Sequence, residues 1–411
     1  MLFDRLPLTR RSFLSAALKT SSVSLAALAV AGCSIGGGGS LGVGSQGGAQ
    51  LTEGGNNGGQ NPGAIKVAFL LPMGAQGNGQ QVAKALKQAG ELALFDFDNP
   101  NIQLVPKDTL GTPEGARAAA AEAVKEGAEL IIGPLFANEV TAAAPEAQSG
   151  NVPMVAFSSD RKVAGNGVYL LSFLAGSDVP RIVSFSASRG KKRFAALIPQ
   201  TDSGRLVEQS FLAAVRQYRG QVVAVKSYPQ DANGMLAPVR DIAALAKKGD
   251  QPQIDALLIA GGADTMPSLA PLLPYSEMDT KTVKLIGTGG WNDAGIGKEE
   301  AMVGGWFPAP DPKGWTDFTK RYVDTYGDVP PRLASLAYDA VSLAVSLSNN
   351  PKGKRYTASQ LTRSAGFAGI DGLFRLKPDG TSERGFAILE VQRYGNEVID
   401  VAPSSFTAAQ Y

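Results

Sequence analysis

The stretch LIIGPLFANEVTAAAPEAQSGNVPMVAF, residues 130–157, places two short apolar runs on either side of a helical segment. Residues 130–132 and 152–157 have the length and composition of buried strands, and residues 138–148 have those of a helix. Two strands joined by a helical crossover lie parallel in one sheet. The stretch therefore predicts an α/β fold.

The same alternation of strand and helix extends in both directions from this stretch. Upstream, Thr112-Pro113 predicts a helix start, with threonine as the cap and proline in the first helical position. The further strands expected are residues 65–71, 102–105, 194–198, 222–225, 254–260 and 283–287, with helices at 204–218 and 236–247. A break near residues 177–180 divides the pattern into two lobes, each a parallel sheet with helices on both faces. Ligands of such sheets bind at the carboxyl ends of the strands, here in the crevice between the lobes.

The N-terminal segment carries the elements of a bacterial export signal in their usual order. Twin arginines at residues 10–11 precede an apolar run at 25–31, which is too short to span a bilayer. Residues 30–33, VAGC, resemble a lipobox, so Cys33, the single cysteine of the chain, is the predicted lipidation site. We expect residues 1–32 to be a twin-arginine-type lipoprotein signal peptide; an uncleaved N-terminal anchor is the alternative.

The segment of residues 33–63 is dominated by glycine, serine, asparagine and glutamine, and Glu53 is its one charged residue. A segment of this composition buries too little apolar surface to form a core, so it is predicted to be a flexible tether. Lipid on Cys33 would attach the protein to a membrane without spanning it. Ser34 stands where an aspartate would favour inner-membrane retention. We therefore expect a periplasmic body anchored to the outer membrane in preference to the inner one.

The composition excludes several classes of function. The formal net charge is +2 and the basic residues are scattered, so the chain has no electrostatic footprint for nucleic acid. Histidine is absent, which excludes histidine-dependent nucleophile systems and most transition-metal sites. No carboxylate, lysine or tyrosine motif of an enzyme stands out. We expect no cofactor, no metal and no catalytic activity.

Several motifs give the chain a family resemblance. They are IGPL at residues 132–135, VPMV at 152–155 followed by Ser158-Ser159, FTKRY at 318–322, AYDAV at 337–341, and GIDG at 369–372 with PDG at 378–380. Over residues 64–395 the chain resembles the leucine-binding-protein family, which has the type I periplasmic solute-binding fold. The resemblance implies three crossings between the lobes, with the first lobe at 64–178 and 308–375 and the second at 179–307 and 376–411. It also implies a non-enzymatic protein that closes on an amino-acid-like solute and serves an ABC permease.

The resemblance places the ligand contacts in loops at the ends of strands. The residues at or next to those positions in this chain are Phe136, Asn138, Ser158, Ser159, Asp160, Ser203, Asp264 and Trp291. Several positions depart from the family pattern for a free amino acid. Ala137 stands where a hydroxyl usually holds the ligand carboxylate, and an ionised Asp160 would repel that carboxylate unless it is paired or turned away. Trp291 is included because it follows the strand predicted at 283–287, which would place it at the mouth of the cleft; a structural role in its loop is the alternative.

A narrower resemblance is to the penicillin-binding protein activators of the LppC/LpoA group. It rests on GIDG at residues 369–372 with Arg384 downstream. In that group the fold is thought to contact a peptidoglycan synthase instead of delivering a solute. The chain shows the glycine-rich tether where the enteric member has a long helical N-terminal domain. A solute-binding lipoprotein and a synthase activator therefore both stay open as hypotheses.

Overall fold

The computed structural model describes residues 63–97, 101–246 and 252–406, all within one unit of residues 60–411. The predicted signal peptide, Cys33 and the tether up to residue 62 lie outside the described residues, so these three stay predictions.

The first sheet is parallel and belongs to the first lobe. Its strands are β1 (Ile65–Leu71), β2 (Ile102–Asp108), β3 (Leu130–Ile132), β4 (Met154–Ala156) and β5 (Val168–Leu170), in the order β2-β1-β3-β4-β5, with helices α1 (Asn78–Phe97), α2 (Pro113–Lys125) and α3 (Ala137–Ser149). Val67 and Phe69 of β1 enter a core with α1, whereas Ala68 faces the core that α2 and α3 cover. Both faces of the sheet are buried, which explains why every residue of β1 except Lys66 is apolar.

The second sheet starts with parallel strands in the order β10-β9-β8-β6-β7 and forms the second lobe. Its elements are β6 (Arg193–Pro199), β7 (Gln221–Tyr228), β8 (Ala256–Ile259), β9 (Lys284–Gly287) and β10 (Trp306–Ala309), with α4 (Val179–Ser188), α5 (Asp202–Gln217), α6 (Ala232–Ala246), α7 (Met266–Leu269) and α8 (Leu272–Tyr275). Helices α4 and α5 cover one face, and α6 to α8 cover the other. The predicted α/β fold, with helices on both faces of two parallel sheets, is confirmed.

After β10 the chain returns to the core of the first sheet. It forms α9 (Pro312–Tyr326), α10 (Ala334–Leu347), α11 (Ala358–Leu361) and a third, antiparallel sheet of β11 (Phe367–Gly369), β12 (Gly372–Leu376) and β13 (Ser382–Arg384). Phe318 of α9, Val341 of α10 and Phe374 of β12 lie in the same core as Phe69 of β1. These elements therefore complete the first lobe.

The last described strands, β14 (Ala387–Val391) and β15 (Asn396–Asp400), extend the second sheet and run antiparallel to their neighbours. The structure places the final passage between the lobes after Arg384, whereas the resemblance implies residue 375. Strand β13 stays with β12 because Arg375 and Glu383 are cross-strand partners and form a 2.9 Å ion pair. The preceding passage follows Ala309, whereas the resemblance implies residue 307.

Candidate functional site

A cavity of about 780 Å³ lies at the carboxyl ends of the parallel strands of the second sheet, where the sequence pattern predicts a crevice. We call it the first cavity. The second lobe contributes residues after β6, β8 and β9, and the first lobe contributes the start of α9 and the segment after β5. The residues that line it include Phe173, Asp178, Thr201, Ser203, Gly204, Asp264, Asp311, Trp315 and Arg332.

Three aspartates line the first cavity, and each accepts a hydrogen bond from the protein. Asp178 Oδ2 accepts the Gly289 N–H at 2.5 Å. Burial raises the pKa of Asp178, although this hydrogen bond by itself would lower it. Asp264 Oδ1 accepts the hydroxyl of the following threonine at 3.0 Å. Asp311 Oδ1 accepts the Lys313 N–H at 2.9 Å and so caps α9.

The wall after β6 is the first turn of α5. Thr201 Oγ1 accepts the Gly204 N–H at 2.9 Å, and Ser203 Oγ lies 3.0 Å from the same Thr201 oxygen. A Cβ atom on Gly204 would come within 2.0 Å of the Pro199 carbonyl oxygen. Glycine therefore allows the helix to start directly against the end of the strand, which brings the Ser203 hydroxyl to the cavity.

Arg332 is the one basic side chain among the described residues that line the first cavity. Its guanidinium carbon lies 4.5 Å from the centre of the Trp315 ring and 5.1 Å from that of Phe173. Its Nη1 donates to Asp371 Oδ2 at 3.0 Å, and the Asp371 side chain is 0% exposed. Arg332 is thus held in place by two rings and a buried carboxylate.

The charged residues of the lining determine which solutes suit the first cavity. Three carboxylates face one arginine that already has an ion-pair partner, so the lining favours a solute with a cationic group. Hydroxyls such as that of Ser203 add hydrogen-bonding groups, and Trp315 offers an apolar face. A few placed polar groups in a largely apolar pocket are typical of small-molecule sites.

Of the residues predicted for the second lobe, Ser203 and Asp264 line the first cavity. Trp291 does not, and its predicted place at the mouth of the cleft is wrong. Its side chain is 0% exposed and packs against Gly287 and Phe307 inside the core of the second lobe. The short turn after β9 points the indole inward because the absence of a side chain on Gly287 leaves room for it.

The profile of the family described as periplasmic binding proteins matches residues 64–396 of the chain. The chain belongs to this family. A periplasmic location follows from that membership, and the two-lobed fold predicted from the motifs is confirmed. No curated protein sequence matches this periplasmic binding protein.

Solved structures support the fold of this periplasmic binding protein. A Rhodospirillum rubrum protein assigned to branched-chain amino acid ABC transport has a TM-score of 0.70 at 16% identity, covering 82% of this chain and 100% of its own. The C-domain of LpoA from Haemophilus influenzae, a regulator of PBP1A, has a TM-score of 0.62 at 16% identity, covering 81% and 99%. LivJ from Streptococcus pneumoniae, in complex with isoleucine, has a TM-score of 0.52 at 18% identity, covering 82% and 100%.

The residues predicted for the first lobe do not line the first cavity. They are Phe136, Asn138, Ser158, Ser159 and Asp160. Three of them serve local turns: Asn138 Oδ1 accepts the next amide at 3.0 Å, Ser158 Oγ accepts the Asp160 N–H at 3.2 Å, and Asp160 Oδ1 accepts the Lys162 N–H at 3.0 Å. Phe136 is 40% exposed, and Ser159 is also exposed. Their ligand roles stay predictions.

Glu139 is a buried carboxylate of the first lobe that the sequence analysis missed. It is 0% exposed, accepts the Thr109 hydroxyl at 2.5 Å and accepts the Phe136 N–H at 3.1 Å. Burial raises the pKa of Glu139, and these hydrogen bonds oppose the rise. The carboxylate thereby occupies the N-terminus of α3. A glutamate at the third helical position is the sequence signal for it, and it forms one half of a capping box, since the N-cap residue Phe136 has no side-chain acceptor for the other half.

Sequence reasoning also missed Asp178, Trp315 and Arg332. No local motif marks them, because they come together only when α9 and the segment after β5 face the second sheet. In the described part of the chain no group of three or more histidine, cysteine, aspartate or glutamate side chains could hold a metal ion. Among the described helices, none is both long and apolar enough to cross a bilayer.

Proposed function

We propose that this periplasmic binding protein is a non-enzymatic lipoprotein that binds a small, amino-acid-like solute between its lobes for an ABC permease. The observation that carries the proposal is that both lobes supply walls of one cavity of about 780 Å³. That volume suits a small solute. A solute that contacts Ser203 of one lobe and Trp315 of the other would favour the closed arrangement, which a permease could then recognise.

The lining supports an amine-bearing solute with an apolar part. Asp264 and Asp178 are the acceptors we propose for the amine, and the ring of Trp315 would cover the apolar part. LivJ, in complex with isoleucine, is a relative in fold whose ligand has this character. The carboxylate of such a solute would meet hydroxyls or Arg332 instead of the N-terminus of α3, which Glu139 occupies.

A thermal-shift screen of the full chain against amino acids, dipeptides and muropeptide fragments tests the proposal. A solute at about 100 times its Kd adds roughly 2.7 kcal/mol to the free energy of unfolding. Asp264→Asn should weaken binding of an amine-bearing solute at least tenfold. The matched control is Asp241→Asn, since Asp241 is 57% exposed, pairs with Lys226 and does not line the cavity. Absence of stabilisation by any solute would overturn the transport function.

The membrane anchor has its own test. We propose that lipid on Cys33 holds the protein to the outer membrane, on the basis of the sequence signal alone. In cells, the wild-type chain should sediment with the outer membrane, whereas Cys33→Ala should not become lipidated. Equal membrane association of both chains would contradict the anchor without affecting solute binding.

A penicillin-binding protein activator is the second candidate. The observation that favours it is that the site departs from the family pattern: Ala137 stands where a hydroxyl usually holds the ligand carboxylate, and none of the five residues predicted for the first lobe lines the first cavity. The LpoA C-domain has the same fold. Binding of the purified chain to a purified bifunctional peptidoglycan synthase, together with stimulation of glycan cross-linking, would support this function. If the chain bound a solute and had no effect on the synthase, the activator function would be excluded.

A further inference from the structure

Two arginines and three aromatic rings form one continuous stack beside the first cavity. In order, its members are Trp315, Arg332, Phe173, Arg384 and Phe374. The Arg332 guanidinium carbon lies 4.5 Å from the centre of the Trp315 ring and 5.1 Å from that of Phe173. The Arg384 guanidinium carbon lies 5.1 Å from the centre of the Phe173 ring and 5.4 Å from that of Phe374. These distances are those of cation–π contacts, so Phe173 joins the two arginines.

The stack has a member in or next to each of the three segments that connect the lobes, which we call the passages. The first passage, between β5 and α4, carries Phe173. The second lies between β10 and α9, and Trp315 is at the start of α9. The third lies between β13 and β14, and Arg384 is the last residue of β13. Rotation of one lobe against the other moves the passages relative to one another, so the contacts of the stack resist it.

Buried carboxylates hold both guanidiniums of the stack on the first lobe. Asp371, whose side chain is 0% exposed, accepts from Arg332 Nη1 at 3.0 Å. Asp339 pairs with Arg384 at 3.2 Å. Nε and Nη2 of Arg384 make no hydrogen bond within the described part of the chain, which leaves the ring contacts as its other stabilising interactions. The two arginines are therefore fixed to the first lobe, and Phe173, in the first passage, is the member that a rotation of the second lobe displaces.

We propose that the stack is a hinge lock, which holds the lobes of the solute-free chain in one arrangement by fixing the first passage to Arg332 and Arg384. A ring that contacts two fixed guanidiniums keeps both contacts in one position only, so the lock favours one angle between the lobes over others. Trp315, Arg332 and Phe173 also line the first cavity. A solute in that cavity therefore contacts the lock and shifts the balance between lobe arrangements, a consequence that rests on the proposed solute-binding function.

Distances between two spin labels, measured by double electron–electron resonance in the absence of solute, test the hinge lock. Because Cys33 is the single cysteine, a full-length chain with Cys33→Ser takes labels only at introduced cysteines. Lys125→Cys places one label on the exposed side of α2 in the first lobe, and Arg216→Cys places the other on the exposed side of α5 in the second. The chain with an intact stack should give a single narrow distribution of distances.

Two substitutions break the stack and keep the ion pairs. Phe173→Leu removes the ring between the guanidiniums and keeps an apolar side chain. Arg332→Lys keeps a cation for Asp371 and removes the planar group that stacks. Each should broaden the distribution of distances or add a second distance. The matched control is Phe185→Leu, since the Phe185 ring has the Arg189 guanidinium carbon 4.9 Å from its centre and both residues belong to the second lobe.

Phe173 and Arg332 are only partly buried, so both variants should fold, which far-UV circular dichroism checks. If Phe173→Leu is unfolded, Phe173→Met takes its place. The hinge lock requires that both stack variants broaden the distribution and that the control does not. Any other result overturns it. Because no solute is present in these measurements, their outcome is independent of the proposed solute-binding function.

Discussion

The Arg384 guanidinium lies 3.2 Å from the Asp339 carboxylate, and the two side chains are 2% and 0% exposed. Arg384 ends β13 and Asp339 lies in α10, so the ion pair fastens the third sheet to the helix just before the chain passes to the second lobe. Asp339 Oδ1 also accepts the Ile370 N–H at 2.7 Å. Asp339 therefore ties both the turn after β11 and the end of β13 to α10.

Removing only one partner of this ion pair should destabilise the protein strongly. Arg384→Met leaves a buried carboxylate without its cation, and we expect the free energy of unfolding to fall by about 3–5 kcal/mol. Asp339→Asn with Arg384→Met removes both charges and keeps an acceptor for the Ile370 amide, so most of the loss should be recovered. Urea unfolding followed by circular dichroism measures both. A double variant no more stable than Arg384→Met would contradict the expectation.

Gly204 should tolerate no side chain. Gly204→Ala places a Cβ atom 2.0 Å from the Pro199 carbonyl oxygen, so the first turn of α5 must shift, and we expect a loss of about 1–3 kcal/mol. Gly79→Ala is the control, because Gly79 is in α1 and its nearest contact would be the Ala75 side chain at 3.2 Å. Its effect should be within about 1 kcal/mol. Comparable losses for the two variants in urea unfolding would refute the steric argument.

The Arg193–Asp255 ion pair should make stability depend on acid pH. Burial alone would raise the pKa of Asp255, but the Arg193 guanidinium and two backbone N–H groups outweigh it and lower that pKa from 3.8 to about 2. Because the pKa of Asp255 is lower in the folded chain than in the unfolded chain, the ion pair stabilises the protein fully at pH values above the unfolded-state pKa. That stabilisation is lost as the pH falls through the folded-state pKa. Because the pair is partly exposed, we discount the shift for solvent screening to about 1 kcal/mol at pH 7.

Asp255→Asn should therefore lower the urea midpoint at pH 7 and have little effect near pH 2. The control is Asp241→Asn, which removes an exposed carboxylate from the same lobe. Unfolding of the three chains at pH 7, 4 and 2 gives the comparison. A difference between Asp255→Asn and the wild-type chain that is the same at all three values would rule out this ion pair as its cause.

Glu139 should give a pH dependence of the opposite sign. Burial raises the pKa of Glu139 above its ordinary value of 4.5, so the folded chain holds this proton more tightly than the unfolded chain. The contribution of Glu139 to stability therefore falls as the pH rises from about 4.5 through the folded pKa. Glu139→Gln cannot titrate, and its stability relative to the wild-type chain should increase between pH 4.5 and 7. Unfolding midpoints at the two pH values measure this change, and a decrease would show that the hydrogen bonds, not burial, dominate.

Local sequence patterns predicted part of the fold, including β1 to β4 and β6 to β9, and missed β5, β10 and α4. The runs at residues 65–71 and 130–132, apolar except for Lys66, are β1 and β3 to the residue, because a strand buried on both faces is apolar along nearly all of its length. Thr112 caps α2 as predicted, with its Oγ1 accepting the Gly115 N–H at 3.0 Å. Ser203 and Asp264 were placed near the cavity by the family resemblance and by their positions after strands.

Tertiary structure alone decided which residues share the site. Arg332 meets Asp371 across 39 positions of sequence. Trp291 follows a strand end, as a ligand-contacting residue would, yet packing turned it into the core. Hydrogen bonds within a turn and the period of a strand act over a few residues, so local sequence predicted many of the individual helices and strands. Cavity walls and ion pairs depend on how those elements pack against one another, which no local pattern records.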